Sequence, residues 1–166
     1  MRRLTLTSLT AVLVAATGSA VADTATTTFN VLLTITKACS FSTAVTDVNF
    51  AARASSATNV DADGTLRVTC TKGTAYTIGL SPGAGTGATT ASRKMKSVGV
   101  TNLDEVPYAL YRDAGRTLNW GNNTGTDTYG GTGTGLEQNI PVNGRLPSAN
   151  FAADSYSDLI TATVTY

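Results

Sequence analysis

Apolar and polar residues alternate along most of this chain. In Thr65–Cys70 the apolar positions are Leu66, Val68 and Cys70, and in Ala75–Leu80 they are Tyr76, Ile78 and Leu80. Val106–Arg112 carries Tyr108 and Leu110 on one face and Tyr111 on the other, and Leu118 and Trp120 alternate in the next segment. Leu159–Tyr166 sets Ile160, Ala162, Val164 and Tyr166 against Thr161, Thr163 and Thr165. Successive side chains of a strand point to opposite faces, so each run predicts a strand with one buried face. No stretch sustains the 3.6-residue period of an amphipathic helix. Turn-forming residues separate the runs: Asp61-Ala62-Asp63-Gly64, Ser81–Gly87, the Gly/Thr-rich Asn122–Gly135, and Asn143-Gly144. Many short strands at this spacing predict an all-β sandwich or barrel.

The two ends of the chain depart from this pattern. Arg2 and Arg3 precede an apolar run from Leu4 to Ala16, and Ala20-Val21-Ala22 follows with small residues at its first and third positions. This predicts a secretory signal peptide over 1–22, cleaved after Ala22; its apolar core is shorter than the ~20 residues that span a bilayer. Next, Thr26–Thr36 carries a stripe of Phe29, Val31, Leu33 and Ile35 at period two. Burying such side chains contributes roughly 1.5–3 kcal/mol each, too much apolar area to leave in water. Periodicity admits two readings: an ordinary first strand of the domain, or a strand that acts in another chain. At the other end the sequence stops at Tyr166, inside a predicted strand. A sandwich needs its edge strands covered or blunted. An immunoglobulin-like order lacking its last strand keeps an open groove, which a strand from another chain can fill.

Composition narrows the function. Without Arg2 and Arg3, ten basic residues face eleven acidic ones, with no basic patch, so nucleic acid is not an expected partner. Cys39 and Cys70 are the two cysteines. In an exported protein such a pair predicts a disulfide. Closing a loop of about 31 residues is worth ~3–4 kcal/mol in the chain-entropy model. A zinc site is excluded by the lack of any histidine or third thiolate. No Ser-His or Cys-His pair can form. Asp104 and Glu105 are neighbours whose side chains point to opposite faces of a strand, so they cannot flank one bond together. Neither an enzyme nor a cofactor is expected. Asp61-Ala62-Asp63-Gly64 lacks the remaining ligands of a calcium loop and reads as a turn. Gly131, Gly133 and Gly135 read as a flexible or extended loop. Trp120 with Asn122 and Asn123 could form a sugar platform, but a lone tryptophan in an alternating strand reads as core.

A series of residues carries a more specific likeness. It begins with Phe29-x-Val31, Ile35 and Cys39, then Leu66-x-Val68-x-Cys70 and Tyr76-x-Ile78-x-Leu80. Arg93-Lys94-Met95, Tyr108–Asp113 and Trp120-Gly121 follow, then Val142–Pro147, Tyr156-Ser157-Asp158 and Val164-Thr165-Tyr166. In this order and spacing the mature chain resembles the spore coat protein U-like pilins, the subunits of archaic chaperone–usher pili. One departure is Asn143, where the family often has tyrosine. The resemblance implies an incomplete immunoglobulin-like β-sandwich lacking its last strand. It also implies a donor-strand segment over 23–37 and a pilin domain over 38–166. Phe29, Val31, Leu33 and Ile35 would fill the groove of a neighbouring pilin subunit. A periplasmic chaperone would first lend its own strand, and an outer-membrane usher would drive the exchange. The implied product is a structural subunit of a secreted pilus, passing through the periplasm to the cell surface. A non-fibrous spore coat or extracellular matrix protein of the same fold is an alternative, as is a surface-binding adhesin subunit.

Overall fold

Most of the alternating runs become strands in the computed structural model, which describes residues 18, 19, 21–99 and 101–166. The expected signal peptide over 1–22 lies for the most part outside the described residues. The chain divides into two units, Met1–Thr34 and Ile35–Tyr166. In the first, residues 21–34 have no regular secondary structure and are exposed.

The second unit is all-β, as predicted. Its strands are β1 (Cys39–Phe41), β2 (Thr58–Cys70), β3 (Ala75–Leu80), β4 (Arg93–Ser97), β5 (Glu105–Tyr111), β6 (Tyr129–Thr132), β7 (Glu137–Ser148), β8 (Tyr156–Ser157) and β9 (Ala162–Thr165). They form a six-stranded sheet in the order β1-β2-β7-β5-β4-β8 and a three-stranded sheet in the order β6-β3-β9. All pairings are antiparallel. The core draws on alternate positions of both sheets: Val68 and Cys70 from β2, Tyr76, Ile78 and Leu80 from β3, Val106, Tyr108 and Leu110 from β5, and Ile140, Val142 and Leu146 from β7. Trp120 is fully buried among them, and its indole N–H donates to the Ile78 carbonyl at 2.8 Å.

Three local expectations are corrected. Asp61-Ala62-Asp63-Gly64 and Asn143-Gly144 are not turns. They lie opposite each other inside β2 and β7, with Ala62 facing Gly144 and Asp63 facing Asn143. Neither glycine has positive φ; both make room. A Cβ on Gly64 would sit 2.6 Å from the Thr46 carbonyl oxygen, and one on Gly144 would sit 2.5 Å from Val48 Cγ1. The segment 46–50 therefore crosses directly over the paired strands, and its Phe50 enters the core. Asp61 and Asp63 remain outside, where Arg145 and Arg116 bind them. The Gly/Thr-rich stretch likewise contains a strand, β6. A Cβ on Gly131 would collide with the Tyr76 ring, so glycine there allows β6 to lie close against β3. Leu118 and Trp120 do not share a strand; Leu118 is about half exposed while Trp120 is buried. Thr26–Thr36 has no regular secondary structure in the single chain.

Candidate subunit-docking site

Burial falls off across the three-stranded sheet. On its inward face Ile78 stands opposite Val164, and Leu80 opposite Ala162. Ile78 and Leu80 are buried, whereas Ile160, Ala162 and Val164 are only partly covered. β9 pairs with β3 alone among the described residues, so its outer edge keeps unpaired N–H and C=O groups. The far edge of the larger sheet repeats the gradient. Phe41 of β1 stands opposite the buried Val68, and Cys39 opposite the buried Cys70, yet both β1 residues are partly exposed. Inward-facing apolar side chains at open edges are what an added strand would cover.

The end of β3 is held from below. Arg93 is fully buried, and its guanidinium donates to four carbonyls: Ser81 at 2.9 Å, Thr90 at 2.6 Å, Leu80 at 3.2 Å and Trp120 at 2.8 Å. Burial lowers its pKa, opposed by Tyr108, Asp158 and Asp127. The planar five-donor fork suits such a cage of carbonyls. Asp158, at the start of the approach to β9, accepts from Tyr108 Oη at 2.8 Å and from the Ala84 N–H at 2.8 Å. Burial, reinforced by Asp158, pushes the Tyr108 phenol well above its ordinary range, so it remains a donor. The Ser81 N–H then donates to the Thr161 carbonyl, and the Thr161 N–H to Ser81 Oγ, each at 2.9 Å. These contacts fix β9 on one side only.

At the start of the second unit, Cys39 and Cys70 form a disulfide across directly opposed positions of β1 and β2. Just before it, Thr71 clamps the chain: its N–H donates to the Ala38 carbonyl at 2.9 Å and its Oγ accepts from the Ala38 N–H at 3.1 Å. Phe29, Val31, Leu33 and Ile35 are each at least 75% exposed. Phe29, Val31 and Leu33 belong to the first unit and Ile35 to the second. Leu32, on the opposite face of an extended chain, is also exposed. The half-covered row of Ile160, Ala162 and Val164 is visible in the sequence as the C-terminal alternation, but nothing local marks it as an edge. Arg93 as a buried cage had no sequence signal beyond its place in the Arg93-Lys94-Met95 motif of the family resemblance. Among the described residues no cluster of three or more His, Cys, Asp or Glu is placed to hold a metal.

Comparisons with known proteins bear on this geometry. The Spore Coat Protein U domain family matches residues 25–163. Protein U of Myxococcus xanthus is 36% identical over 118 residues, covering 67% of this chain. The chain spans 64% of that relative's length. A chain of the crystal structure of a CsuC–CsuE chaperone–tip adhesion subunit pre-assembly complex, from the archaic chaperone–usher Csu pili of Acinetobacter baumannii, has a similar fold. It superposes with a TM-score of 0.59 at 18% identity, over 80% of this chain and 41% of the other.

Proposed function

Because the chain belongs to the Spore Coat Protein U domain family, we propose that it is a structural subunit of a surface fibre assembled by the chaperone–usher pathway through donor-strand complementation. The observation that carries this reading is a pair of unfinished surfaces: an exposed apolar stripe at Phe29, Val31, Leu33 and Ile35, and an open edge at β9 with a half-covered inward row. The stripe of one copy fills the gap beside β9 of the next. Main-chain hydrogen bonds supply affinity, and alternate side chains set the register. A periplasmic chaperone occupies the gap first, and an outer-membrane usher exchanges it for the neighbour's segment. The protein is exported, crosses the periplasm and ends at the cell surface, with a structural rather than catalytic role.

The stripe's phase supplies the test. Val31→Asp or Leu33→Asp puts an unpaired charge into an apolar groove, whereas Asn30 points the other way. The first two variants are expected to co-purify with the chaperone, since their own groove is intact, and to form no fibres. Asn30→Asp is expected to form them. Loss of chaperone binding together with fibres in the Val31 and Leu33 variants would return the segment to the role of an ordinary core strand. The family's description as a spore coat domain favours a second reading, a non-fibrous coat of the same subunits. Electron microscopy of the producing cells separates the two by the presence of fibres.

A further inference from the structure

Between Ile35, the last residue of the apolar stripe, and Cys39, the first of β1, lie only Thr36-Lys37-Ala38. Thr71, one residue past β2, holds this short tether extended. Its N–H donates to the Ala38 carbonyl at 2.9 Å and its Oγ accepts from the Ala38 N–H at 3.1 Å. The same hydroxyl donates to the Thr36 or the Ala38 carbonyl, both at 3.3 Å. Thr71 is itself pinned. Its carbonyl accepts from the N–H of the buried Thr74 at 3.0 Å, and the Thr74 carbonyl accepts from the Gly133 N–H at 2.7 Å. A Cβ on Gly133 would sit 2.4 Å from the Thr71 carbonyl oxygen, so that loop lies directly against it. The latch is mounted on fixed backbone.

Released from Thr71, the three residues would have the length of a hairpin loop. Ile35 would then stand opposite Cys39, and Leu33 opposite Phe41. That pairing is in phase, because opposed residues of an antiparallel pair share a face. Cys39 and Phe41 pack against the core but are only partly covered, and β1 is an end strand of its sheet. The stripe therefore has an open edge of matching alternation on its own chain. A segment on so short a tether meets that edge at an effective concentration in roughly the millimolar range, far above that of a second copy in dilute solution. Closure within the chain would win unless something opposed it. We propose that Thr71 is the positioning residue that keeps the apolar stripe off its own β1 edge and so commits it to a second copy of this chain; this rests on the donor-strand reading above. Ala38 acts in the same direction. Three-residue hairpin loops place a left-handed residue, usually glycine, at the end of the loop, and the Ala38 Cβ disfavours that conformation.

The test uses the full mature chain, refolded alone with its disulfide intact. Hydrogen exchange is followed at the amides of residues 30–35 in the monomer fraction, and the monomer-to-multimer ratio is read by size exclusion. In the parent monomer these amides are expected to exchange freely. Thr71→Val keeps the side-chain shape and removes the hydroxyl. Each lost hydrogen bond shifts a balance roughly threefold to tenfold, so the monomer-to-multimer ratio should rise by about that factor and the amides become protected. Thr71→Ser should behave as the parent. Ala38→Gly leaves Thr71 in place, eases the turn and should shift both readings the same way, which keeps the proposal testable if Thr71→Val folds poorly. The double variant should be mainly monomer. Free exchange and an unchanged ratio in the double variant would overturn the latch, as would equal protection in the parent. The exchange reading needs no assembly. Failure of the donor-strand reading shows separately, as parent multimers that Val31→Asp leaves intact.

Discussion

β2 and β9 have nearly the same sequence pattern and opposite fates. Both alternate apolar residues with threonine or polar ones. β2 is thirteen residues long, flanked by β1 and β7, and crossed by the 46–50 segment, which Gly64 and Gly144 admit. β9 is four residues long, has one neighbour, and leaves its inward row partly exposed. The contrast shows where the domain is finished and where it leaves an edge open. Burial is concentrated around β2, β7 and β5, and the proposed docking surfaces lie at the β9 edge and the N-terminal stripe.

The largest effects should come from the closed side and from the Arg93 cage at the end of β3. Gly64→Val places a side chain against the Thr46 backbone oxygen, which cannot move aside without lifting the crossing segment. The loss should be ~3 kcal/mol or more, read as failure to recover folded protein. Arg93→Met should cost at least ~3 kcal/mol, because four carbonyls lose their buried donor. If Gly64→Val unfolds at the parent's denaturant midpoint, the closed side is not the seat of stability. Replacing Cys39 and Cys70 by serine should lower stability by roughly 2–5 kcal/mol, measured by denaturant unfolding of the mature chain.

A smaller pair of changes tests the gradient directly. Leu80→Ala should cost ~2–5 kcal/mol at its buried position. Ile160→Ala, on the half-covered row, should cost clearly less in the free subunit. Its penalty should approach that of Leu80→Ala once a strand covers the groove. Equal penalties in the free subunit would mean that the edge is already closed.

The smallest effect is one of pH. Asp113 accepts from the Leu118 N–H at 2.7 Å and from the Thr117 N–H and hydroxyl, which hold its carboxyl below the usual aspartate range. A depressed native pKa gives stability that is present above the unfolded value and lost as pH falls through the native one. The thermal midpoint of the parent should therefore fall somewhat more than that of Asp113→Asn between about pH 5 and about pH 2. Parallel curves would remove Asp113 from the account.

Much of this was legible in local pattern. Tyr76, Ile78 and Leu80 declared β3 and its buried face, and Tyr108 and Leu110 did so for β5, because period two is a property of a few consecutive residues. Phe29, Val31, Leu33 and Ile35 stood out as a stripe for the same reason. The glycines were misread because local preference could not anticipate what crosses over them. Asp61-Ala62-Asp63-Gly64 and Asn143-Gly144 have turn composition, yet pairing over eleven positions between β2 and β7 outweighs that preference.

What the amino-acid order determined without help was the strand-forming alternation, the presence of two cysteines that could pair, and the apolar stripe. Each depends only on residue type and near spacing. Tertiary structure decided which strands became edges, why Gly64, Gly144 and Gly131 had to be glycine, and that Trp120 turned inward. Those outcomes follow from how much of each face another segment covers, and coverage is set by contacts between residues far apart in the chain, which no local period records.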